Sequence, residues 1–419
     1  MHRPRIRLAS IVSLGMLVAC SDAAPPSRVE ATVSASQPII HGKVSDSSQD
    51  AVVLIEGLGA NSFACSGTLL APNLVLTARH CVSQLVSEGV QCDVRGNGTS
   101  ASAIGADLVP GTLFIYVGVN RPASFGANPA AKAMKIIHDS ATNLCNHDLA
   151  LLLLDRIIPD AKISPVRLDS PPLKTDTVLA VGWGISDTTA EPPQRMQRGG
   201  IKINAIGPNA VGTLPTPPNN FQVGESFCQG DSGGPGYAES TGAVIGVVSY
   251  GGNGSGDTTF PWSRCLDNGA GVFNVYTELS PFKDLILSAY QEAGQDPWLE
   301  GGPDPRLAKY NEPCTDGSAC QSNLCYVDPK THNGACTQDC STDACPDGFD
   351  CSNDSAAGTK ICKPHVASSS NASTGGKTGG CAAAPGSDAS SSAWGAFAAL
   401  ALFGAARKRS RRGVTASRR

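Results

Sequence analysis

Basic and aromatic side chains are scarce in this sequence. Phe, Trp and Tyr make up 5% of the 419 residues, whereas Gly (46) and Pro (29) are plentiful. This composition favours short strands joined by turns over long helices. The whole chain has 32 basic and 36 acidic residues. Residues 1–19 hold three of the basic residues, and residues 382–419 hold seven basic residues and one aspartate. Without these two ends the chain has 22 basic and 35 acidic residues, a net charge of −13. A chain this acidic repels nucleic acid and anionic membranes, so we expect no nucleic-acid partner.

Metal-ligand spacing is also lacking, although the chain contains 16 cysteines. Cytosolic reductants would keep so many thiols unpaired, so the count indicates an oxidising compartment and a secreted, extracellular or surface-held protein. No His/Cys pair has the spacing of a zinc site. We therefore expect neither a metal nor another cofactor.

Eight of the cysteines crowd into a segment with almost no aliphatic side chains. They are Cys314, Cys320, Cys325, Cys336, Cys340, Cys345, Cys351 and Cys362. A segment that buries so little apolar surface needs disulfides to fold. We expect four bridges, whose connectivity the sequence leaves open. Two functions also stay open for this module: adhesion or substrate docking, and a stiff spacer that resists proteolysis.

The N-terminus has the pattern of a secretory signal. Residues 1–7 carry the basic residues, and 8–19 form an apolar run that ends in small residues before Cys20. The pattern resembles a bacterial lipoprotein signal, which implies that Cys20 is lipidated and becomes the first mature residue. The alternative is an ordinary signal peptide cleaved nearby, with Cys20 left as a free thiol. Residues 20–38 are small and polar, which predicts a leader without a core of its own.

Short apolar runs separated by turn residues fill the next 250 or so residues, a pattern that predicts antiparallel β-structure in a sandwich or barrel. The runs of the first half are 51–55, 69–70, 74–77, 113–117, 135–137 and 149–154, and those of the second half are 177–181, 201–206, 243–250 and 271–276. Only 281–293 has helical spacing, with its apolar side chains on one stripe. The pattern predicts an all-β domain closed by one helix.

Three stretches carry the residue types of nucleophilic catalysis, namely 74–81 (LVLTARHC), 146–151 (NHDLAL) and 228–235 (CQGDSGGP). The hydroxyl of Ser232 becomes a nucleophile if the imidazole of His80 takes its proton, and a buried Asp148 would orient that imidazole. The glycines allow the backbone N–H groups of Gly230 and Ser232 to point at one oxygen. Each residue alone also has a structural explanation, as a core histidine, a capping aspartate or a turn hydroxyl. Together they predict a catalytic triad.

In this order, the three stretches resemble those of the trypsin/chymotrypsin family of serine endopeptidases. The resemblance covers residues 39–295 and implies two antiparallel Greek-key β-barrels, hydrolysis of protein or peptide substrates, and an oxyanion hole at Gly230 and Ser232. Arg79 departs from the small residue usual beside the histidine, and we interpret it as a tolerated surface change. A catalytically silent surface-binding protein is the alternative function. It predicts loss of a triad member, and none is lost.

The resemblance also implies activation by proteolysis. Residues 39–42 (IIHG) look like the family's mature N-terminus, which implies that the new ammonium of Ile39 pairs with Asp231 and orders the oxyanion hole. The cut would follow Pro38, a bond that trypsin-like enzymes cleave badly, so we expect a separate activating protease. Family disulfides are implied for Cys65–Cys81 and Cys228–Cys265, which leaves Cys92–Cys145 as the third pair.

The specificity pocket is predicted by position. By resemblance, Ser226 forms its floor, with Phe227 beside it. Gly251 and Gly271 form its walls, and Ser249, Tyr250 and Gly251 hold the substrate backbone. Ser226 supplies no carboxylate for Lys or Arg, so the sequence predicts cleavage after apolar or aromatic residues, with small aliphatic ones as the second choice.

The C-terminus has the composition of a linker and a sorting tail. A Ser/Gly/Ala-rich stretch is followed by an apolar run, 393–406, that is short for a membrane span, and by an arginine cluster. With Cys381 before the run, the tail resembles the sorting signal of myxobacterial surface proteins, which implies lipidation of Cys381. A simple basic-ended membrane anchor is the alternative. The predicted organisation is signal peptide 1–19, leader 20–38, protease domain 39–298, linker 299–313, disulfide-rich module 314–362, disordered linker 363–392 and tail 393–419.

Overall fold

The chain forms two antiparallel β-barrels, one C-terminal helix and a disulfide-rich region. A computed structural model describes residues 39–58, 62–86, 90–212, 214–253, 257, 259–267, 269 and 271–365. The predicted all-β fold with two barrels and a closing helix is confirmed. The signal peptide, the leader with Cys20, and the linker and tail after 365, with Cys381, lie outside the described residues.

The first barrel closes through six strands in the order β2-β3-β4-β9-β8-β7. The strands of this half are β1 (Lys43–Val44), β2 (Val52–Leu58), β3 (Ser62–Ala71), β4 (Leu74–Thr77), β5 (Ser83–Leu85), β6 (Ile104–Asp107), β7 (Leu113–Tyr116), β8 (Ala131–Ile137) and β9 (Ala150–Leu154). Every residue of β4 and β9 is buried, which explains their unbroken apolar runs. Short strands β5 and β6 pair with each other outside the barrel.

The second barrel closes in the order β11-β10-β15-β16-β17-β14, with β1 added at the side of β11. Its strands, with the hairpin β12–β13, are β10 (Thr177–Gly182), β11 (Met196–Ile206), β12 (Asn209–Val211), β13 (Leu214–Thr216), β14 (Asn220–Val223), β15 (Pro235–Ala238), β16 (Val244–Gly252) and β17 (Phe273–Glu278). The sequence runs did not include β14 and β15. Both are short and carry Asn, Gln, Pro or Gly, and only pairing with their neighbours makes them strands.

The single α-helix, α1 (Lys283–Ala293), packs on the first barrel. Its stripe of Ile286, Ala289 and Tyr290 joins the core that contains β4 and β9. Gly294 ends the helix in the left-handed conformation (φ +66°), where glycine carries no Cβ penalty. Single 3₁₀ turns occur at Ser47–Gln49, Arg79–Cys81, Ser100–Ser102, Pro110–Thr112, Ser280–Phe282 and Gly317–Ala319.

The disulfide-rich region consists of two successive four-cysteine units with the same pairing. Its strands are β18 (Pro313–Cys314), β19 (Cys325–Val327), β20 (Gly334–Cys336), β21 (Phe349–Asp354) and β22 (Thr359–Pro364). In each unit the first cysteine bonds the third and the second bonds the fourth, giving Cys314–Cys325, Cys320–Cys336, Cys340–Cys351 and Cys345–Cys362. The four expected bridges are therefore present, in a connectivity that the sequence had left open.

Residues of the predicted linker 299–313 contact the surface of the predicted protease domain, residues 39–298. Arg167 forms an ion pair with Glu300, with Nε–Oε2 at 2.6 Å, and a second one with Asp176. Arg306 donates to the Ala161 carbonyl at 2.6 Å. These contacts hold the start of the linker on the protease domain.

Candidate active site

His80 and Asp148 meet at one end of the first barrel. His80 lies in the 3₁₀ turn that follows β4, and Asp148 lies two residues before β9. Because Thr77 pairs with Ala150 in this antiparallel register, the end of β4 and the start of β9 lie side by side. Asp148 Oδ2 accepts from His80 Nδ1 at 2.8 Å, and Oδ1 accepts from the His80 backbone N–H at 2.9 Å. The carboxylate thus fixes both the ring and the main chain of His80 and leaves Nε2 for proton transfer.

The electrostatics of this pair keep Asp148 ionised. Burial alone would lower the pKa of His80, but the charge and hydrogen bond of Asp148 outweigh it and raise that pKa. Burial alone would raise the pKa of Asp148, but the charge of His80 and the hydrogen bonds from His80 and Ser249 lower it. Ser249, which the sequence assigned to substrate binding, donates its hydroxyl to Asp148 Oδ2.

The nucleophile loop, residues 228–235, carries three hydrogen-bond donors that have no acceptor among the described residues. Gly230 has a φ of +94°, and a Cβ there would lie 2.8 Å from the Gly184 Cα, so only glycine fits. In the part of the chain that the structure describes, the Gly230 N–H, the Ser232 N–H and the Ser232 hydroxyl donate no hydrogen bond. This geometry suits the predicted nucleophile and oxyanion hole.

Ser66 on β3 ties this loop to the first barrel. Its backbone N–H donates to the Ser232 carbonyl at 2.8 Å, and its hydroxyl donates to the Gly230 carbonyl at 3.0 Å. The same hydroxyl accepts from the Trp183 N–H at 3.0 Å. Sequence reasoning did not single out Ser66, because a serine inside a strand carries no signal of contacts more than 100 residues away.

His80 and Ser232 face one cavity of about 250 Å³. The other lining residues are Leu85, Val90, Phe227, Cys228, Gln229, Ser249, Tyr250, Gly251, Arg264, Cys265 and Asn274. The first barrel and its adjoining loops supply His80, Leu85 and Val90, and the second supplies the rest. The cavity is therefore built between the two barrels.

The structure changes the predicted pocket at two positions. Ser226 is 0% exposed and does not line the cavity as its floor. Gly271 is also absent from the lining; its N–H donates to Asp267 in the preceding loop. The residue of β17 that pairs with Gly251 is Asn274, which lies three positions after Gly271 in the sequence. The sequence signal was a polar residue between Phe273 and Val275, and the register of this strand across the barrel could not be read from the sequence.

Arg79 is a second correction, since the sequence interpretation placed it on the surface. It is 5% exposed, and its guanidinium donates to Ser83 Oγ (2.6 Å), Asp107 Oδ1 (3.2 Å) and the Asp139 carbonyl (3.2 Å). A carboxylate on β6 and a hydroxyl on β5 give this cation partners that the local sequence does not show. Arg79 thereby anchors the turn that carries His80.

Ile39 and Asp231, the two residues of the predicted activation ion pair, are both fully buried. The Ile39 side chain is fully buried with Phe227 and Tyr276, and Ile40 packs against Cys228. Asp231 accepts from the N–H groups of Gly184 (2.7 Å) and Cys228 (3.0 Å). Burial raises the pKa of Asp231 to about 7, although these bonds oppose the shift. The ion pair with a free Ile39 ammonium stays a prediction.

Three disulfides brace the protease region: Cys65–Cys81, Cys92–Cys145 and Cys228–Cys265. The first joins β3 to the histidine turn, and the third joins the nucleophile loop to the loop that carries Arg264. Both therefore limit movement beside the cavity.

Two barrels that present a serine, a histidine and an aspartate at one cleft define the class of the trypsin-like serine proteases. The family model named Trypsin matches residues 39–286, which is more than half of the chain. The chain belongs to the trypsin family.

Individual relatives are distant. The chain is 28% identical over 213 residues to phenoloxidase-activating factor 3 of Holotrichia diomphalia, covering 46% of this chain and 58% of that protein. It is 28% identical over 200 residues to a trypsin of Saccharopolyspora erythraea, covering 45% and 75%. It is 28% identical over 257 residues to the CLIP domain-containing serine protease HP8 of Bombyx mori, covering 55% and 62%. The chain thus spans about 60% of the length of the first and third.

None of the helices within the described ranges combines the length and the apolar character needed to cross a bilayer.

Proposed function

We propose that the protein is a serine endopeptidase that hydrolyses peptide bonds through an acyl-enzyme. The observation that carries the proposal is that His80, which is hydrogen-bonded to Asp148, lines the same cavity as Ser232. The family relationship supports the same chemistry. The catalytically silent alternative is not favoured, since the sequence retains Ser232, His80 and Asp148.

The residues would act in two steps, acylation of Ser232 and hydrolysis of the acyl-enzyme. Ser232 Oγ attacks the substrate carbonyl carbon while His80 Nε2 takes the hydroxyl proton, and the oxyanion is held by the N–H groups of Gly230 and Ser232. The C–N bond then breaks, and His80 gives its proton to the leaving amine. Water repeats the addition on the acyl-enzyme, which releases the carboxylic acid and restores Ser232. Asp148 stabilises the imidazolium in both halves.

A covalent probe tests this assignment. A fluorophosphonate should form one adduct on the processed enzyme, and peptide mass spectrometry should place it on Ser232. His80→Ala should abolish labelling because the hydroxyl would lose its base. His365→Ala, at an exposed histidine of the disulfide-rich region, should label normally. Labelling of a different serine, or none, would contradict the proposal.

We further propose cleavage after apolar rather than basic residues. Among the described residues that line the cavity there is no carboxylate that would pair with Lys or Arg, and Arg264 adds a like charge to the lining. Parallel assays with otherwise identical Val and Arg substrates test this. Faster hydrolysis after Arg would overturn it.

Activation and location are proposals that rest on sequence features. The inferred cut after Pro38 by a separate protease would free the Ile39 ammonium to pair with Asp231. The charge of the carboxylate partner then raises the pKa of the amine, against the opposing effect of burial, so the pair persists at neutral pH and is lost as the pH rises through that value.

We propose secretion and anchoring at the outer surface, through Cys20 before the cut and through the Cys381 tail after it. N-terminal sequencing and lipid analysis of the active species test this order. A chain that is active while still beginning at Cys20 would refute both the ion pair and the exchange of anchors.

A further inference from the structure

We infer that Asn274 closes the specificity pocket beside Ser232 and restricts cleavage to peptide bonds that follow small, uncharged side chains. The inference rests on the proposed endopeptidase function and names the substrate class of the same site. It narrows the apolar specificity that the sequence predicts, because it excludes aromatic side chains.

The Asn274 side chain occupies the space that the sequence interpretation left open. Asn274 on β17 pairs with Gly251 on β16, and a Cβ added to Gly251 would lie 2.2 Å from an amide atom of Asn274. Gly251 therefore makes room for the asparagine and not for a large substrate side chain. The wall on this side of the cavity is a polar amide.

The amide is held in place by several hydrogen bonds. In the orientation that satisfies both ends, Oδ1 accepts from the N–H groups of Ser226 and Phe227, each at 3.0 Å, and Nδ2 donates to the Phe273 carbonyl at 2.8 Å. Asn274 is 1% exposed. Rotation of the Asn274 side chain away from this position would leave these buried groups without hydrogen bonds. A bulky substrate side chain could therefore displace it only at a large cost in free energy.

Ser226 consequently lies behind the asparagine and out of reach of substrate. Its hydroxyl is within 3.0 Å of the Asn274 amide, and the residue is fully buried. Phe227 stays in the barrel core, where its ring packs edge-on against Tyr276 with centroids 5.3 Å apart. The base of the cavity is thus uncharged and shallow, formed by Asn274, Phe227 and the Cys228–Cys265 bridge.

Substrates that differ in one residue measure the depth of this pocket. The processed enzyme is assayed on internally quenched peptides that are identical except for Ala, Val, Phe or Lys before the scissile bond. We expect kcat/KM for Ala and Val to exceed that for Phe and Lys by at least tenfold, since each misfitted group in a pocket changes the rate by about 10- to 200-fold.

Asn274→Gly opens the pocket and should raise kcat/KM on the Phe peptide at least tenfold. Asn220→Gly is the matched control: Asn220 is another buried asparagine, on the neighbouring strand β14, and it does not line the cavity. It should leave the Phe-to-Ala ratio unchanged. A rise in this ratio with the control variant, or no rise with Asn274→Gly, would overturn the inference.

Ser226→Asp separates the two accounts of the pocket floor. If Asn274 covers Ser226, the single variant gains no activity on the Lys peptide, and only the double variant with Asn274→Gly does. A gain of tenfold or more with Ser226→Asp alone would show that Ser226 is open to substrate, against the inference.

The wild-type profile decides the question even if a variant fails to fold. Equal rates after Phe and Ala would overturn the pocket inference and leave the endopeptidase proposal standing. No hydrolysis of any peptide by the processed enzyme would contradict the proposed function, and the inference would fall with it.

Discussion

The protease barrels and the disulfide-rich region reach their folds by different physical means. The barrels contain a continuous core of fully buried aliphatic strands, such as β4 and β9, and only three disulfides. The region 314–362 has four disulfides, and its buried side chains are mostly the cysteines themselves, with Ile361 and Thr337. Apolar burial therefore stabilises the first part, and covalent bonds stabilise the second.

The proposed catalytic groups lie in the part of the molecule that apolar burial stabilises. Every described residue that lines the cavity lies between 80 and 274, and the disulfide-rich region contributes none of the proposed catalytic groups. A triad needs side chains held within a fraction of an ångström, which a packed core provides. The disulfide-rich region keeps its two units by cross-links and presents mainly polar surface.

The largest expected effect is a loss of turnover, caused by a substitution in the second barrel. Ser232→Ala removes the proposed nucleophile, and we expect turnover to fall by about 10⁶-fold. Circular dichroism and the melting temperature should stay unchanged, because the hydroxyl donates no hydrogen bond among the described residues. Near-normal hydrolysis by the variant would refute the triad.

Removal of one bridge tests the covalent side. Cys345→Ser combined with Cys362→Ser opens a loop of 17 residues in the second unit, and we expect a loss of about 3 kcal/mol of local stability. Hydrogen exchange of β21 and β22 should accelerate, while exchange in β4 and β9 and kcat/KM stay constant. A fall in kcat/KM would show that the two parts are coupled.

Arg79→Ala tests the packed side at the histidine turn. The variant leaves Asp107 and Ser83 without their buried donor, and we expect a loss of about 2 kcal/mol in the free energy of unfolding, measured in urea. Arg156→Ala is the control, because Arg156 forms an exposed ion pair with Asp155 and its loss should change stability little. Equal effects for both variants would contradict the anchoring role of Arg79.

The smallest expected effect is on pH dependence. Because the pKa of His80 is raised above its ordinary value of 6.5, the base form is lost at a higher pH than in a free histidine. We expect kcat/KM to fall about tenfold per pH unit below that pKa. His365→Gln, in the disulfide-rich region, should leave the profile unchanged. A midpoint below 6.5 would contradict the assignment of His80 as the base.

Local sequence patterns were enough to predict the class of the fold and the candidate catalytic residues. Alternating short apolar runs specify strands, and local glycine, histidine and aspartate patterns mark loops whose chemistry needs those residue types. Such signals are local and survive without knowledge of the partner strands. The paired cysteines of the protease region follow the same family pattern.

The contacts of Asn274 beside the cavity and the environment of Arg79 follow from the tertiary structure and not from local pattern. Asn274 reaches Gly251 through the register of β16 and β17, and Arg79 meets Asp107 through the fold of β5 and β6. The two four-cysteine units likewise acquire their pairing from which sulfur atoms lie close in space. These contacts join residues distant in sequence, and a one-residue change of register would replace each of them, which is why local pattern alone does not determine them.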